Sequence, residues 1–586
     1  MKKALSALWI VIVALSCKTV ENQDQHELAQ SSEGVDPLAT ENLGLDVKGF
    51  WTKTSRGISE KVIKFFYDRP SEIQNLGLNF YPDRTLTTDD GVDLQISYYL
   101  PKNHANGGKF PAVIFVNPWG SSSNANQLSR LPQRLTKEGF IVLLLTARGF
   151  GKSGGEAAFA SERDQKDVSL AIDWLENNTH VDTQNIGIVG ISYGGGVGLM
   201  SVLRETRLKT AVGINAWSDF VDGGFLAGHG VNERAGRFLV DFGDLMKSRI
   251  REAYEVQQKL KDPATRADVA AWGLKRSPRE FLSVYNQRKA PLYFVHTYND
   301  AFFKPNAILD FYQRYEGPKK VSFFQGVHGT NMMFEGFAKQ GAGDDVVDWF
   351  NYWLRGQTQK DIGVNTVDFA IRNKQSERSK IGPSREHVLY NNWSQDQFSL
   401  KTFYLSKQGG KATLLSGPSA AATETSLKTA PKLALFGGDQ DGDLILEGLL
   451  GTPVRQNLGK IDPAHTAVYQ SEELPQIKIR SISKLHVKAK TTSPNPQVTI
   501  YLFAQSKSGD AQLITQGSTT LVDVRGGRAE GDIDFHAIAY DLEAGSRLAL
   551  VVDTRDWDFL FGPEQNNDIN LLEGAGGSTL QVSFAP

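Results

Sequence analysis

The chain has 586 residues, with 64 Lys and Arg against 66 Asp and Glu. A chain of this length exceeds what one hydrophobic core organises, so we expect at least two domains. The balanced charge disfavours nucleic acids and anionic membrane faces as partners, because both attract proteins through an excess of basic residues.

The N-terminus resembles a bacterial export signal. Two lysines precede an apolar run over residues 4–16, and Cys17, the only cysteine of the chain, follows it. The run is shorter than the ~20 apolar residues that span a bilayer, so it predicts a signal peptide over residues 1–16. "ALSC" resembles a lipobox, which predicts lipidation of Cys17 and a place in the cell envelope. The alternative is an ordinary cleaved signal with an incidental cysteine.

The segment after the signal is predicted to be a tether. Residues 17–45 are polar, contain no aromatic residue and show no sustained period. Such composition is typical of a flexible linker. A single cysteine also leaves no partner for a disulfide, so the folded domains must be stabilised by packing.

The next part of the chain alternates apolar runs with amphipathic stretches. Short runs rich in β-branched residues are typical of strands buried on both faces of a parallel sheet, and the amphipathic stretches predict crossover helices. The runs lie at 110–117, 140–148, 185–190, 208–217, 290–300 and 319–329. This pattern predicts an α/β domain in two parts, over residues 46–217 and 289–358.

Two further regions depart from that pattern. Residues 218–288 are too long for one crossover and carry helical periodicity, which predicts an inserted helical cap. From about residue 375 onward, apolar and polar residues alternate with period two, as in "KLHVKAKTT", and turn residues separate the short runs, so a β-rich domain is predicted over residues 359–586. This second pattern predicts an antiparallel β-sandwich.

Ser192 is the first candidate functional residue. It lies in "GISYG" (190–194), which matches the nucleophile elbow G-x-S-x-G. The match alone is weak, because a serine between glycines also suits a tight turn. The context favours the elbow, since the apolar strand 185–190 precedes it and a stretch able to form a helix follows.

A serine nucleophile needs a base and an acid, each just beyond a later strand. Asp300 follows the apolar run 290–300, and His328 follows the run that begins at residue 319. We therefore predict that Ser192 attacks an acyl carbon, His328 transfers the proton and Asp300 orients the imidazole. His296 lies within a predicted strand and is interpreted as a sheet residue. The remaining competitors lie in or beside the β-rich half: His387, His465, His486 and His536.

The oxyanion formed in such a reaction needs two hydrogen-bond donors. The backbone N–H of Tyr193, directly after the serine, is predicted to be one. The loop "NPWGSSS" (117–123) is predicted to supply the other from Trp119, through its backbone N–H or its indole N–H. In the alternative, Trp119 only lines the pocket.

No cofactor or metal is predicted. "GFGKSG" (149–154) fits a dinucleotide motif, but the following helix is predicted about ten residues too late. One cysteine and dispersed histidines give no zinc pattern.

These motifs together resemble one enzyme family. "TARGFGKSGGE", "NIGIVGISYGG", "PLYFVHTYND" and "GVHG", followed by a β-rich half, are similar to the X-Pro dipeptidyl-peptidase and cocaine esterase group of α/β-hydrolases. The resemblance runs from about residue 80 to the C-terminus. It implies an α/β-hydrolase domain, a helical cap after the sixth strand and a C-terminal jelly-roll or galactose-binding-like domain. It also implies Ser192, Asp300 and His328 as the catalytic residues.

One position departs from that family. The corresponding loop there typically reads Asn-Pro-Tyr, and the tyrosine hydroxyl helps to hold the oxyanion, whereas this chain has Asn117, Pro118 and Trp119. The family includes esterases, peptidases and amidases, so the resemblance leaves the substrate open. A substrate with a free amine would need a buried carboxylate in the cap, for which the candidates are Asp219, Asp222, Glu233, Asp241 and Asp244.

The sequence therefore predicts a secreted, lipid-anchored serine hydrolase that cleaves a small ester, an amide or a short peptide. The alternative is a catalytically idle hydrolase-like lipoprotein that binds a polysaccharide or cell-wall partner through its β domain. The oligomeric state is left open.

Overall fold

A computed structural model describes most of the chain from residue 78 to residue 585. The stretches it leaves out are 124–125, 128–129, 226–232, 330–341, 375–385, 430–443, 445–446, 449–452, 522–523 and 555–567. The predicted signal peptide, the tether and Cys17 lie outside the described residues. No helix within the described stretches is both long and apolar enough to cross a bilayer.

The first half of the described chain builds one mixed sheet flanked by helices. Its strands are β1 (Asn79–Thr87), β2 (Asp93–Leu100), β3 (Phe110–Val116), β4 (Ile141–Leu145), β5 (Val181–Ile191), β6 (Leu208–Ile214), β7 (Leu292–Asn299), β8 (Lys319–Val327), β9 (Thr366–Ala370) and β10 (His387–Asn391). The helices are α1 (Leu131–Lys137), α2 (Glu162–Asn178), α3 (Tyr193–Val202), α4 (Glu233–Leu245), α5 (Arg251–Lys261), α6 (Arg266–Leu274), α7 (Leu282–Arg288), α8 (Pro305–Arg314) and α9 (Ala342–Arg355).

The strand order within the described residues is β1-β2-β4-β3-β5-β6-β7-β8-β9-β10. The strands from β4 through β9 in this order run parallel to their neighbours. Strand β2 pairs antiparallel with β1 and β4, and β10 pairs antiparallel with β9. This mostly parallel sheet confirms the predicted α/β-hydrolase class.

Helices cover the sheet on both faces. Ala112 and Ile114 of β3 share a hydrophobic cluster with side chains of α2 and α3. Val113 and Phe115 of the same strand point the other way, into a cluster with α1 and α9. Because successive side chains of a strand alternate between faces, a strand covered on both sides must be apolar throughout, as these sequence runs are.

The segment between β6 and β7 is helical in its described part. It begins with a π-helical turn at Val221–Phe225 and continues through α4, α5, α6 and α7. These elements lie within residues 218–288, where the sequence predicts a cap. Helix α4 contacts the loop after β3. In this contact the Trp119 indole N–H donates to the Leu239 carbonyl oxygen at 2.8 Å.

The first sheet continues past residue 359, where the sequence predicts that the β-rich domain begins. Strand β9 pairs in parallel with β8, and β10 then pairs with β9, so both extend the hydrolase sheet. The length and composition of β9 explain why the sequence did not predict this pairing. Strand β9 is only five residues long, and its sequence "TVDFA" mixes apolar and polar residues although every side chain in it is buried.

The C-terminal half is built of strands. They are β11 (Ser399–Gln408), β12 (Lys411–Leu415), β13 (Thr423–Leu427), β14 (Arg455–Gln456), β15 (Thr466–Ser471), β16 (Ile477–Ser481), β17 (Lys484–Thr491), β18 (Gln497–Gln505), β19 (Ala511–Thr520), β20 (Arg528–Asp534), β21 (Ile538–Leu542), β22 (Arg547–Asp553), β23 (Ile569–Glu573) and β24 (Thr579–Phe584). Their pairings in the described residues are antiparallel, except that β12 and β15 run parallel. This arrangement confirms the predicted all-β C-terminal domain.

One turn of the C-terminal domain packs against the loop between β7 and α8. The Asn306 side chain donates to the Phe535 carbonyl oxygen at 2.9 Å and accepts from the Ala537 backbone N–H at 2.8 Å. Between them, His536 Nδ1 lies 3.0 Å from the Tyr298 carbonyl oxygen. Because these three hydrogen bonds reach Tyr298 in β7 and Asn306 in α8, this turn fixes the two ends of the loop.

Candidate active site

Ser192 occupies a sharp turn between β5 and α3. Its backbone has φ 56° and ψ −117°, a conformation that a residue with a side chain rarely adopts. The flanking glycines explain how the turn closes. A Cβ on Gly190 would lie 2.1 Å from the Gly194 carbonyl carbon, and a Cβ on Gly194 would lie 2.2 Å from the Val116 carbonyl oxygen. The G-x-S-x-G spacing is therefore required by the backbone approach.

The structure brings Ser192, His328 and Asp300 into one hydrogen-bonded chain. His328 Nε2 lies 2.7 Å from Ser192 Oγ, and His328 Nδ1 lies 2.8 Å from Asp300 Oδ2. Asp300 directly follows β7, and His328 directly follows β8. Since β5, β7 and β8 run parallel, their carboxyl ends lie at the same edge of the sheet, where loops present functional side chains.

Asp300 is fully buried and accepts hydrogen bonds on both oxygens. Its Oδ1 accepts from the backbone N–H groups of Phe302 and Phe303, each at 2.9 Å. Burial alone would raise the pKa of Asp300. The charge of His328 and its hydrogen bond outweigh burial, together with the neighbouring His296, and hold the pKa at about 2. The carboxylate is therefore ionised at neutral pH.

Two neighbours of Asp300 were not predicted to belong to the site. Asn215, the first residue after β6, donates from Nδ2 to Asp300 Oδ2 and to Thr297 Oγ1, each at 2.9 Å. His296 lies in β7, as interpreted from the sequence, but its Nε2 also lies 3.5 Å from Asp300 Oδ2. Burial lowers the pKa of His296 from its usual range. A polar residue directly after a buried apolar strand was the available signal for Asn215.

The two predicted oxyanion donors lie beside the serine. Tyr193 is the first residue of α3, a position whose backbone N–H has no acceptor within the helix. The Trp119 indole N–H is already paired with the Leu239 carbonyl oxygen. The Trp119 backbone N–H has no hydrogen-bond acceptor within the described part of the chain. Of the two alternatives for Trp119, the geometry favours the backbone donor.

An aromatic cavity opens beside Ser192. Its empty volume is about 380 Å³. Its walls are aromatic on the side of the sheet and aliphatic on the side of α4. The lining residues besides Ser192 and Tyr193 are Trp119, Phe159, Trp217, Phe220, Gly224, Ala235, Leu239, Phe302 and Phe303. None of these side chains carries a charge, so the cavity suits an uncharged apolar group.

The acidic cap residues named as candidates for binding an amine do not line this cavity. Asp219 is buried, but it forms an ion pair with Arg279 and accepts the Val221 backbone N–H. Asp222, Asp241 and Asp244 are exposed. The side chain of Glu233 lies outside the described part. Among described residues, no cluster of His, Cys, Asp and Glu has an arrangement that could hold a metal ion.

Family models match both halves of the chain. A model described as X-Pro dipeptidyl-peptidase (S15 family) matches residues 90–330. A second model, described as the X-Pro dipeptidyl-peptidase C-terminal non-catalytic domain, matches residues 351–576. The first match contains Ser192, Asp300 and His328, and the second contains most of the strands of the C-terminal half.

Curated relatives match at low identity. A putative Xaa-Pro dipeptidyl-peptidase from Bacillus anthracis is 25% identical over 380 residues, which cover 59% of this chain and 62% of that protein. An uncharacterized protein from Pseudomonas aeruginosa is 30% identical over 124 residues, which cover 21% of this chain and 33% of that protein. The chain thus spans less than two thirds of the length of these relatives.

Solved structures match along most of the chain. A CocE/NonD family hydrolase from Staphylococcus aureus has a TM-score of 0.64 at 13% identity and covers 87% of this chain and 94% of its own. An alpha-amino acid ester hydrolase has a TM-score of 0.63 at 14% identity, with coverage of 86% and 96%. At such identities the likeness shows the shared fold.

Proposed function

Because the chain belongs to the X-Pro dipeptidyl-peptidase (S15) family of α/β-hydrolases, and is thus a serine hydrolase, we propose that Ser192, His328 and Asp300 are its catalytic triad. The observation that carries the proposal is the hydrogen-bonded chain from Ser192 Oγ through the imidazole to Asp300. Its three members also come from the strand ends that the fold reserves for a nucleophile, an acid and a base.

The geometry supports a two-step reaction through an acyl-enzyme. His328 Nδ1–H donates to Asp300, so Nε2 carries the lone pair that accepts the Ser192 proton as Oγ attacks the acyl carbon. The tetrahedral intermediate collapses when the same proton passes from Nε2 to the leaving alcohol or amine. A water molecule then gives one proton to His328 Nε2 and attacks the acyl carbon. As this second tetrahedral intermediate collapses, the bond to Ser192 Oγ breaks, Nε2 returns the proton to Oγ and the acid is released.

The negative charge of the intermediate is held by backbone donors. In this proposal they are the N–H groups of Tyr193 and Trp119. A main-chain donor at Trp119 leaves its indole free to bind α4, which accounts for a tryptophan at a position where the family typically has a tyrosine. Preorganised donors of this kind lower the barrier by stabilising charge that develops only in the transition state.

We propose that the acyl group is uncharged and apolar. The cavity beside Ser192 is lined by aromatic and aliphatic side chains without a carboxylate. A dipeptide released from a peptide N-terminus carries an ammonium group, and burying an unpaired charge in an apolar pocket is costly. The lining therefore favours esters or amides of apolar acids over X-Pro dipeptides.

The test has two parts. A fluorophosphonate probe should label the wild type and leave Ser192→Ala unlabelled; the idle binding lipoprotein predicts no labelling of either. Turnover of a short acyl ester should then be compared with turnover of an X-Pro dipeptide amide. Rapid turnover of the ester alone supports the apolar acyl group, whereas preferential cleavage of the dipeptide amide contradicts it.

We also propose that the protein is exported and held in the envelope through Cys17. Support comes from the two lysines and the apolar run that precede Cys17, and from the "ALSC" motif that ends in it. Mass spectrometry of the membrane fraction should find a lipid-modified Cys17. Replacing it by alanine should release the protein into the soluble fraction, and unchanged membrane association would contradict the anchor.

A further inference from the structure

A buried carboxylate lies directly behind the nucleophile elbow. Asp164 is in the first turn of α2, and its side chain is only 2% exposed. Its Oδ2 accepts from the Tyr193 hydroxyl at 2.8 Å and from the Ala160 backbone N–H at 2.7 Å. Its Oδ1 has no hydrogen-bond partner within the described part of the chain. A single oxygen therefore holds two neighbouring segments.

The first of these segments is a strained turn that forms part of the cavity wall. Phe159 and Ala160 have φ angles of 52° and 57°, both in the left-handed region that disfavours residues with a side chain. The Phe159 ring packs against the Trp119 ring with centroids 4.6 Å apart and lines the cavity. The hydrogen bond from Ala160 to Asp164 stabilises this turn.

The second segment is the start of α3. Tyr193 follows Ser192 directly, and its ring packs edge-on against Trp119 and Phe150, with centroids 5.4 Å and 5.3 Å away. The phenol is anchored at its far end by Asp164. Because the ring packs against two aromatic neighbours and its hydroxyl is hydrogen-bonded, the Cα of Tyr193 and the peptide group before it have little freedom to rotate.

The charged groups around Asp164 leave it only partly compensated. Arg148 is nearby but forms a bidentate ion pair with Asp167, at 2.7 Å and 2.9 Å. Arg276 also acts on Asp164 through its charge, but it binds Glu252 at 2.9 Å. Burial therefore raises the pKa of Asp164 to about 7, against the hydrogen bond from Tyr193 and the charge of Arg148, while Asp167 adds to the rise. Such a group is expensive to keep in a fold without a role.

We propose that Asp164 is a positioning residue for the hydrolysis: by fixing the Tyr193 phenol, it fixes the backbone N–H of Tyr193 at the place where the oxyanion forms. The inference rests on the proposed function, because an oxyanion arises only if Ser192 attacks an acyl group. Asp164 touches neither substrate nor Ser192 and acts through Tyr193. Donors in an oxyanion site must be held in place, since a displacement of about 1 Å can cost roughly 10²-fold in rate.

A purely structural role is the competing explanation, and the chain offers a matched control. In the C-terminal domain, the buried Tyr469 hydroxyl donates to Glu573 Oε1 at 2.6 Å. This pair has the same chemistry but lies outside the site. Tyr469→Phe and Tyr193→Phe each remove one buried phenol–carboxylate hydrogen bond, so they should lower the melting temperature by similar amounts.

The variants should differ in catalysis. Using a short acyl ester, we expect Tyr193→Phe and Asp164→Ala to lower kcat by about tenfold or more with KM within about threefold, because the lost interaction acts on the transition state. Asp164→Asn keeps an oxygen that accepts both hydrogen bonds and should restore kcat to within about threefold of the wild type. Tyr469→Phe should leave kcat unchanged.

The outcomes separate the two proposals. If Ser192→Ala retains full activity, the proposed triad fails. If Ser192→Ala is inactive but Tyr193→Phe keeps wild-type kcat, the positioning role of Asp164 is overturned while the triad stands. Equal losses of kcat in Tyr193→Phe and Tyr469→Phe would also overturn it, because both losses would then follow from stability. Should Asp164→Ala fail to fold, Tyr193→Phe and Asp164→Asn still decide the question.

Discussion

Asn215 Nδ2 lies 2.9 Å from Asp300 Oδ2, the same oxygen that His328 Nδ1 contacts at 2.8 Å. The acid is therefore held from the side of β6 as well as from its own loop. With two backbone N–H groups on Oδ1, it accepts four hydrogen bonds. A carboxylate with this many donors keeps its charge in a buried site.

Replacing Asn215 by aspartate tests this contact. The variant has the same shape and tolerates the left-handed backbone of this position, where φ is 45°. It replaces a donor by a second carboxylate next to Asp300, which should raise the pKa of the pair and weaken orientation of His328. We expect kcat to fall by roughly 10- to 100-fold. A tenfold fall corresponds to a rise of about 1.4 kcal/mol in the activation free energy. Steady-state kinetics from pH 5 to 9 would measure it; a wild-type profile would show that Asn215 has only a packing role.

Asp300→Asn should be far more damaging than its small change in shape suggests. Every group around the carboxylate is a donor, so an amide NH₂ facing His328 makes Nδ1 the acceptor. The ring proton then resides on Nε2, which can no longer accept from Ser192. We expect kcat to fall by about 10⁴-fold, the magnitude known for the loss of the correct tautomer in a serine protease triad. A fluorophosphonate probe should label this variant correspondingly slowly, and unimpaired labelling would contradict the tautomer argument.

Trp119→Phe distinguishes the two ways in which Trp119 could donate. The phenylalanine ring keeps the aromatic wall but loses the indole N–H that binds Leu239. If the backbone N–H holds the oxyanion, kcat should fall by less than about tenfold, through loosening of α4 against the cavity. Loss of a true oxyanion donor costs about 10²- to 10³-fold in kcat. A loss in that higher range would assign the role to the ring.

Asp164 should also leave a signature in the pH dependence of stability. Its pKa is about 7 in the folded protein and 3.8 in an ordinary environment, so the folded state binds its proton more tightly. This contribution to the free energy of unfolding is present below about pH 4 and is lost as the pH rises through about 7. Asp164→Asn has no such proton, so its melting temperature should rise relative to that of the wild type as the pH increases over this range.

Glu162→Gln provides the control for that titration. Glu162 lies in the same first turn of α2 and loses the same charge, but its side chain is 74% exposed. The melting temperature of this variant should keep a nearly constant offset from the wild type. A constant offset for Asp164→Asn as well, measured by thermal unfolding between pH 4 and 8, would show that Asp164 titrates normally in the fold.

The sequence alone predicted that Ser192, Asp300 and His328 lie close together, because their placement follows local rules. Ser192, Asp300 and His328 each stand directly beyond an apolar strand, and parallel strands must present these positions at one edge. The hydrogen bond between the Trp119 indole and Leu239 could not be predicted from the sequence. It joins residues 120 positions apart, and the local pattern does not determine where the helix that carries Leu239 packs. Asp164 could not be identified from the sequence, because an acidic residue in the first turn of a helix is usually exposed and interacts with the helix dipole.

The domain boundary shows the same limit. Strands β9 and β10 lie within residues 359–391, which the sequence assigns to the β-rich domain, yet they pair with the hydrolase sheet. The strand with which a short strand pairs depends on which sheet edge is available in the folded chain. Short strands therefore predict an element without predicting the sheet that it joins.

The turn around His536 contacts both ends of the loop that carries Asp300. The position of this loop therefore depends on both halves of the chain. Cutting the polypeptide near residue 358 would remove β9 and β10 from the sheet and withdraw the backbone groups that Asn306 binds. The strand-built half, although it supplies none of Ser192, Asp300 and His328, thus contacts both ends of the loop that carries Asp300. A fragment that ends near residue 358 should therefore hold the loop of Asp300 less firmly than the full chain does.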